Sequence, residues 1–212
     1  MMAGANRANA LRTRFLFWLV LLLSPYSSAS GFDLNDQCPP SFALSSDNQC
    51  QLRNLYQLYD SLQGQGLGGL KTALPHHRDG FSPQQIDLGR LLFFDPVLSG
   101  NKDLSCANCH NPAKGFSDGM ARSVGASGQL HPRSAPTLWN SAFLKSLLWD
   151  ARADSLEQQA LGPLFSELEM ANTPEQLMAN LNQVDAYPEL FTQAFPNSED
   201  AMVIANITTA LT

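Results

Sequence analysis

Two cysteines and a histidine stand together near the middle of the chain, in the order Cys106-Ala107-Asn108-Cys109-His110. On one turn of helix, residues i, i+3 and i+4 share a face, so both thiols and the imidazole point to the same side. Two thiols placed in this way can form thioether bonds to one edge of a porphyrin, and the imidazole below the ring can bind iron. The spacing therefore predicts one covalently attached c-type haem with His110 as an iron ligand.

Two other chemistries use a Cys-x-x-Cys pair, and both are disfavoured. A redox dithiol is typical of a βαβ context, which the pattern around residues 106–109 does not show. Half a zinc site needs a second pair of ligands at the usual spacing, and the sequence offers none.

The ligand on the opposite side of the iron decides between electron transfer and catalysis. A Met or His ligand there gives an electron-transfer haem, whereas an open position lets peroxide or oxygen reach the iron. Composition does not choose among the candidates, which are His76, His77, His131, Met120 and Met170.

The first 29 residues have the pattern of a secretory signal peptide. Arg7, Arg12 and Arg14 precede the nine apolar residues 15–23, and small residues follow. Nine apolar residues are too few to cross a bilayer, which needs about 20. We expect cleavage near residue 29, export to the periplasm or an equivalent oxidising space, and no membrane attachment afterwards.

The mature chain is acidic. The whole sequence has 13 basic and 19 acidic residues, a net charge of −6; because residues 1–29 hold three arginines and no acid, their removal leaves −9. An acidic surface disfavours nucleic acid as a partner and suits a positively charged electron carrier.

The remaining cysteines, Cys38 and Cys50, are most simply a disulfide in an exported protein.

The sequence predicts a mainly α fold with long loops. Ser82, Pro83 and Gln85 predict a helix that ends near Phe94, a short helix should carry the haem motif, and residues 112–140 should be loop. Further helices are predicted over 50–63 and from Asp154-Ser155-Leu156-Glu157, Thr173-Pro174-Glu175-Gln176 and Ser198-Glu199-Asp200. We divide the chain into a signal peptide (1–29), an N-terminal extension with the disulfide (30–81) and a cytochrome c-like haem domain (82–212).

An ordered set of motifs surrounds the haem motif and resembles the N-terminal haem domain of the bacterial di-haem cytochrome c peroxidases and their MauG relatives. The resemblance covers about residues 82–211. The motifs are Leu88-Gly89-Arg90-Leu91-Leu92-Phe93-Phe94-Asp95, Gly115-Phe116-Ser117-Asp118-Gly119, Pro132-Arg133-Ser134-Ala135-Pro136-Thr137-Leu138-Trp139-Asn140, Trp149-Asp150-Ala151-Arg152, Gly162-Pro163-Leu164 and Glu169-Met170.

The resemblance implies a protein with two haems in two mainly α domains. The N-terminal haem meets hydrogen peroxide, and the C-terminal haem relays electrons from a small cytochrome or cupredoxin. This sequence has a single Cys-x-x-Cys-His, so we expect it to be the N-terminal portion of a longer protein that carries the second haem.

The resemblance also implies roles for three residues. Glu169, ten residues after Gln159, resembles the distal acid that takes a proton from peroxide and returns it to the leaving oxygen. Gln159 resembles the partner that orients peroxide or water, and Trp149 resembles the electron relay between the two haems.

Two positions depart from the family pattern. Ser134 stands where the family usually has an Asn that contributes to a Ca²⁺ site between the domains, and Ser is a weaker oxygen ligand. Ala126, just after Gly125, stands where typical peroxidases have a His that caps the iron. A missing capping His resembles the MauG-like branch, including the MbnH type, which oxidises tryptophan on a partner protein. The sequence therefore leaves three interpretations: a haem peroxidase, a MauG-like enzyme that oxidises a partner protein, and a non-catalytic monohaem electron carrier.

Overall fold

The computed structural model describes residues 31–53 and 77–212, and this part of the chain is mainly helical. The predicted signal peptide and the predicted helix beyond residue 53 lie outside these ranges. No helix in the described ranges is long and apolar enough to cross a membrane. The regular elements are β1 (Phe42–Leu44), β2 (Cys50–Leu52), α1 (Pro83–Phe94), α2 (Cys106–Cys109), α3 (Leu156–Phe165), α4 (Pro174–Asn182), α5 (Ala186–Ala194) and α6 (Ile204–Leu211).

The N-terminal segment forms an antiparallel hairpin in which Leu44 of β1 pairs with Cys50 of β2. Cys38 and Cys50 are joined by a disulfide, as the cysteine pairing predicted. The helix predicted over 50–63 is wrong at its start, because residues 50–52 pair with β1 and the N–H of Cys50 donates to the carbonyl of Phe81, 2.7 Å away. Pairing with these distant residues overrides the local apolar spacing.

Helix α1 begins where its capping signal predicts. The Ser82 hydroxyl accepts a hydrogen bond from the N–H of Gln85, and the Gln85 side chain accepts one from the N–H of Ser82. Together the two bonds satisfy donors that the first turn would otherwise leave unpaired. Asp95, in an extended conformation, ends the helix, and Pro96 follows it.

The hydrophobic core lies between α1 and the C-terminal helices, with α6 and α5 packed on α1 and α3 packed on α6. The largest fully buried apolar side chains are Leu88, Leu92, Leu98, Leu177, Leu181, Phe191 and Ile207. Gly89 marks the closest approach of α1 to α6, since a Cβ built there would lie 1.7 Å from the carbonyl oxygen of Ala210.

Replacing Gly89 by Ala should lower the free energy of unfolding by about 1–3 kcal/mol, the usual cost of overpacking, because α6 must move away from α1. Gly162 in α3 has no neighbouring atom within 4 Å of its ideal Cβ. Gly162→Ala is therefore the matched control, and it should leave stability unchanged or raise it by up to about 1 kcal/mol. Denaturant unfolding of the two variants measures both effects, and equal stabilities would contradict the packing described for Gly89.

Buried polar side chains hold the segment that leads into the haem motif. The Asn180 amide donates to the carbonyls of Val97 and Ser99 at 3.3 and 3.2 Å. The Ser99 hydroxyl accepts from the N–H groups of Asp103 and Leu104, which pulls the chain back toward the core just before α2. Because buried polar groups are costly unless paired, this network fixes where α2 begins.

The other helix predictions were partly correct. Helix α4 begins after Thr173 as predicted, and α3 is capped by Ser155, one residue later than the predicted capping box. The last helix does not begin at 198–200: it begins at Ile204. Helix α5 was not predicted.

Candidate functional site

Helix α2 presents the haem motif as a single helical turn. The side-chain oxygen Oδ1 of Asn108 accepts from both the N–H and the hydroxyl of Ser105, at 2.8 and 2.9 Å, which closes the start of the turn. At its end, the N–H of His110 donates to the carbonyl of Cys106 over 2.9 Å. Cys106 and Cys109, whose sulfur atoms form no disulfide, therefore lie one turn apart with His110 beside them.

The imidazole of His110 has one nitrogen engaged by backbone carbonyls. Its Nδ1 lies 3.0 Å from the carbonyl oxygen of Phe116 and 3.1 Å from that of Pro136. Because a carbonyl only accepts, Nδ1 carries the hydrogen, and the lone pair of the neutral ring is on Nε2. A metal-binding His commonly donates its other N–H to a carbonyl in this manner, so the ring is prepared to bind iron through Nε2.

The two thiols lack the acidity of a redox dithiol. Burial, helped by the neighbouring Cys109, raises the pKa of the Cys106 thiol to about 11. Burial, followed by the charges of Asp118 and Glu169, also raises the pKa of Cys109. Reactive dithiols depend on a lowered pKa, so the structure supports attachment sites for a group rather than a thiol-exchange centre.

A partly open cavity of about 320 Å³ lies beside Cys109, with Met120 and Ala126 also in its wall. This volume lies in the range of about 300–1,000 Å³ that is usual for small-molecule and cofactor pockets. In the described ranges, nine of the thirteen exposed large apolar side chains lie between residues 120 and 168. Exposed apolar surface is expected around a large planar ligand, so the residues present fit a covalent haem.

Glu169 projects from a tight turn after α3 that is held by its backbone. The N–H of Glu169 donates to the carbonyl of Ser166, and the N–H of Met170 donates to that of Pro163, over 3.0 and 3.1 Å. From the other side, the N–H of Gly100 donates to the carbonyl of Met170 over 2.8 Å. The main chain at Glu169 and Met170 is therefore held by two segments, the end of α3 and the chain at Gly100.

The loop at Gly125 and Ala126 packs directly on this turn. The N–H of Ala126 donates to the carbonyl of Glu169 over 2.7 Å. A Cβ built on Gly125 would lie 1.9 Å from the carbonyl oxygen of Leu168, so only Gly fits at this position. Its φ of −91° is ordinary, so the close approach, not backbone strain, requires the Gly.

Gly125→Ala should lower the free energy of unfolding by about 1–3 kcal/mol, because the added methyl group pushes the loop away from the backbone of the Glu169 turn. Gln129, exposed on the same loop, offers the control Gln129→Ala, which should leave stability unchanged. Thermal unfolding of the two variants tests this, and a Gly125→Ala protein as stable as the control would show that the two segments are not in contact.

The Glu169 carboxylate lies close to two groups of the site. Its Oε1 is 3.8 Å from Nε2 of His131, and its negative charge is one of the causes that raise the pKa of Cys109. The side chain is half-buried, with 35% of its surface exposed, so water or a small ligand can reach it. Glu169 therefore lies next to His131 and next to Ala126, which lines the cavity beside Cys109.

The other two predicted catalytic residues lie in α3 and in the loop before it. Gln159 is half-buried in the middle of α3. Trp149 is 75% exposed in the loop before α3, and the Arg133 guanidinium stacks over its ring at 5.0 Å from the centroid. No hydrogen bond or ring contact between described residues joins either side chain to Glu169 or His110.

The candidates for a second iron ligand occupy different environments. Met170 is buried in the hydrophobic core, and Met120 lines the cavity next to Cys109. His131 faces Glu169, and His77 contacts Asp79 and the ring of Phe143. His76 lies outside the described residues. Core packing therefore accounts for Met170, whereas Met120 stays next to the site.

The described part of the chain contains no cluster of three or more His, Cys, Asp or Glu side chains placed to hold a metal ion. Ser134, the position where the resemblance implies a Ca²⁺ ligand, is exposed.

Sequence reasoning missed the two carbonyls that orient His110. Phe116 and Pro136 belong to the motifs that carry the resemblance, which implies no role for either. Gly115 and Phe116 both adopt positive φ, 67° and 57°, which folds the loop back onto the histidine. The Gly in that turn was the available signal, since it favours the left-handed conformation.

Comparison with known proteins assigns the family. Residues 83–212 match the family model described as di-haem cytochrome c peroxidase, which covers more than half of the chain. The cytochrome c551 peroxidase of Pseudomonas aeruginosa is 39% identical over 130 residues, 61% of this chain and 38% of that protein. The methylamine utilization protein MauG of Methylorubrum extorquens is 40% identical over 140 residues, 66% of this chain and 39% of that protein.

Solved structures give the same result. A MauG-like protein associated with microbial copper homeostasis matches with a TM-score of 0.62 and 33% identity, over 67% of this chain and 43% of that one. The di-haem peroxidase BthA of Burkholderia thailandensis matches with a TM-score of 0.56 and 25% identity, over 66% of this chain and 39% of that one.

The chain belongs to the di-haem cytochrome c peroxidase family, whose members bind haem. The predicted mainly α, cytochrome c-like fold is confirmed. The chain spans less than two fifths of the length of the two curated relatives above.

Proposed function

We propose that this chain carries one haem c, bonded through Cys106 and Cys109 and held at iron by Nε2 of His110, and that it activates hydrogen peroxide. The observation that carries the proposal is the position of Glu169, whose carbonyl accepts a hydrogen bond over 2.7 Å from the N–H of Ala126, a residue in the wall of the cavity beside Cys109. A titratable acid beside the attachment motif is what peroxide chemistry requires and an electron carrier does not.

The bound haem supplies iron that exchanges electrons with peroxide. Glu169 accepts the proton of the incoming peroxide and returns it to the oxygen that leaves as water. The Phe116 and Pro136 carbonyls keep the hydrogen of His110 on Nδ1, which leaves Nε2 as the ligand and increases its electron donation. Gln159 orients peroxide or water by hydrogen bonding.

The complete reaction takes two electrons and two protons and converts one peroxide to two waters. In the proposed whole protein, electrons come from a small cytochrome or cupredoxin through a second haem, and Trp149 is the relay between the haems. The 75% exposure of Trp149 leaves its ring available to a neighbouring domain. A Ca²⁺ ion between the domains is part of this proposal, with Ser134 the corresponding position in this chain.

Export to the periplasm is part of the same proposal. The signal-like residues 1–29 and the disulfide between Cys38 and Cys50 support it, because disulfides persist mainly in oxidising compartments.

A MauG-like activity, in which the oxidising equivalents are used on a tryptophan of a partner protein, is favoured by Ala126. The Ala126 side chain is small and buried, and it stands where typical relatives have the capping His. The main-chain N–H of Ala126 donates to the carbonyl of Glu169. Monohaem electron transfer is favoured by Met120, whose sulfur would have to close the iron site from the cavity wall.

Rapid mixing of the haem-loaded protein with hydrogen peroxide, followed in the visible spectrum, tests the proposal. A spectral change that is first order in peroxide is expected, and subsequent addition of reduced cytochrome c should return the ferric spectrum. A protein that ignores peroxide and only exchanges electrons would be a carrier. A peroxide reaction with no oxidation of cytochrome c, together with a mass increase on a partner protein, would favour the MauG-like activity.

A further inference from the structure

We propose that His131 is a positioning residue that holds the Glu169 carboxylate over the haem site, an inference that rests on the proposed function above. Nε2 of His131 lies 3.8 Å from Oε1 of Glu169. This is an electrostatic contact, slightly longer than a hydrogen bond.

The backbone of His131 is fixed by its own loop. Its N–H donates to the carbonyl of Ser123 over 2.8 Å, and its carbonyl accepts from Nε of Arg122 over 2.9 Å. Only 23% of the His131 side chain is exposed. The imidazole therefore extends from a well-anchored backbone, as a residue that positions another group requires.

The other ring nitrogen has a partner that sets the direction of Nε2. The N–H of Arg133 donates to Nδ1 of His131 over 3.2 Å. In the neutral tautomer in which Nδ1 accepts this bond, Nε2 carries the hydrogen that faces Glu169. The carbonyl of Arg133 is also 3.2 Å from Nδ1, so Nδ1 keeps a partner when the ring is charged. His131 can thus offer an N–H to Glu169 in either charge state.

One loop therefore holds two parts of the same residue. Ala126 holds the main chain of Glu169 through its N–H, and His131, five residues later, contacts the carboxylate. The loop that should cap the iron in typical relatives instead orients the acid here. The other charged groups on the two segments are Arg122 and Arg133 on the loop and Glu167, which is exposed, on the turn.

His131→Leu, which removes the N–H donor, should slow the peroxide reaction of the haem-loaded protein about fivefold, the size of a partly exposed charge contact. His131→Gln keeps a donor and should recover most of the rate. In a Glu169→Gln background, His131→Leu should have no further effect, because its action passes through the carboxylate. Gln129→Ala, on the same loop, is the control and should react like the wild type.

Fluoride binding to the ferric protein provides a readout without turnover. Bound fluoride accepts a hydrogen bond from the protonated distal acid, so its dissociation constant reports how that acid is placed. His131→Leu should weaken fluoride binding about fivefold, and only when Glu169 is present. Haem content and melting temperature confirm that each variant is folded.

The outcomes separate this inference from the proposed function. If Glu169→Gln slows the peroxide reaction but His131→Leu leaves both measurements unchanged, or acts equally without Glu169, the positioning role is wrong and the proposed function stands. If Glu169→Gln has no effect, both are wrong. A ferric spectrum that changes from low-spin to high-spin in His131→Leu would show that His131 is an iron ligand, which also overturns the inference.

Discussion

Replacing Glu169 by Gln should slow the reaction of the haem-loaded protein with hydrogen peroxide by about 10²–10⁴-fold, the usual contribution of a positioned proton-transfer group. Gln has nearly the same shape, and the Glu169 backbone is held by Ser166 and Ala126 independently of the side chain. The fold and haem content should therefore be unchanged. Stopped-flow mixing with peroxide at a fixed pH measures the effect.

Glu167→Gln is the matched control for this experiment. Glu167 lies two residues earlier on the same turn, and its side chain is exposed. Glu167→Gln removes the same charge from the same segment. An effect caused only by the loss of a negative charge near the site would therefore appear in both variants. Equal rates for Glu169→Gln and the wild type would show that another group handles the proton.

Replacing both Cys106 and Cys109 by Ser should abolish covalent haem attachment when the protein is produced in cells that contain the haem-attachment machinery. Serine cannot form the thioether bonds, whereas the helical turn, which is closed by Ser105 and Asn108, does not depend on the sulfur atoms. Haem-dependent peroxidase staining of a denaturing gel shows the result directly, because only covalently bound haem stays with the chain.

The double variant Cys38→Ser/Cys50→Ser removes the same number of sulfur atoms from the disulfide and is the control. It should keep its haem while losing about 2–3 kcal/mol of unfolding free energy, the value expected for a short disulfide-closed loop. Haem staining that survives in Cys106→Ser/Cys109→Ser would contradict the assignment of the motif.

Local signals predicted the elements that depend on neighbouring residues. Helix α1 begins at its capping box because Ser82 and Gln85 bond to each other. Helix α5 lacks such a signal, because Asp185 at its start makes no side-chain capping bond and Pro188 stands in its first turn. The region before α6 looked like a helix start, yet the Asp200 side chain accepts from the N–H of Met202 in a local turn.

The chemistry of the site was predictable in part, for a similar reason. The spacing of Cys106, Cys109 and His110 is local, so the motif could be placed on a helix from sequence alone. The carbonyls that fix the tautomer of His110 and the contact between His131 and Glu169 join residues that are 6 to 38 positions apart. Such pairs depend on how the long loop folds: Gly115 signals the turn beside His110, whereas no local pattern encodes the contact between His131 and Glu169.

The account depends on an iron atom bound by His110 on one side and accessible beside Glu169 on the other. Electron paramagnetic resonance of the purified, exported ferric protein tests this arrangement most directly. We expect a high-spin haem signal, which indicates an open position on the iron. A purely low-spin signal from an iron held by two protein ligands, or the absence of any haem signal, would contradict it.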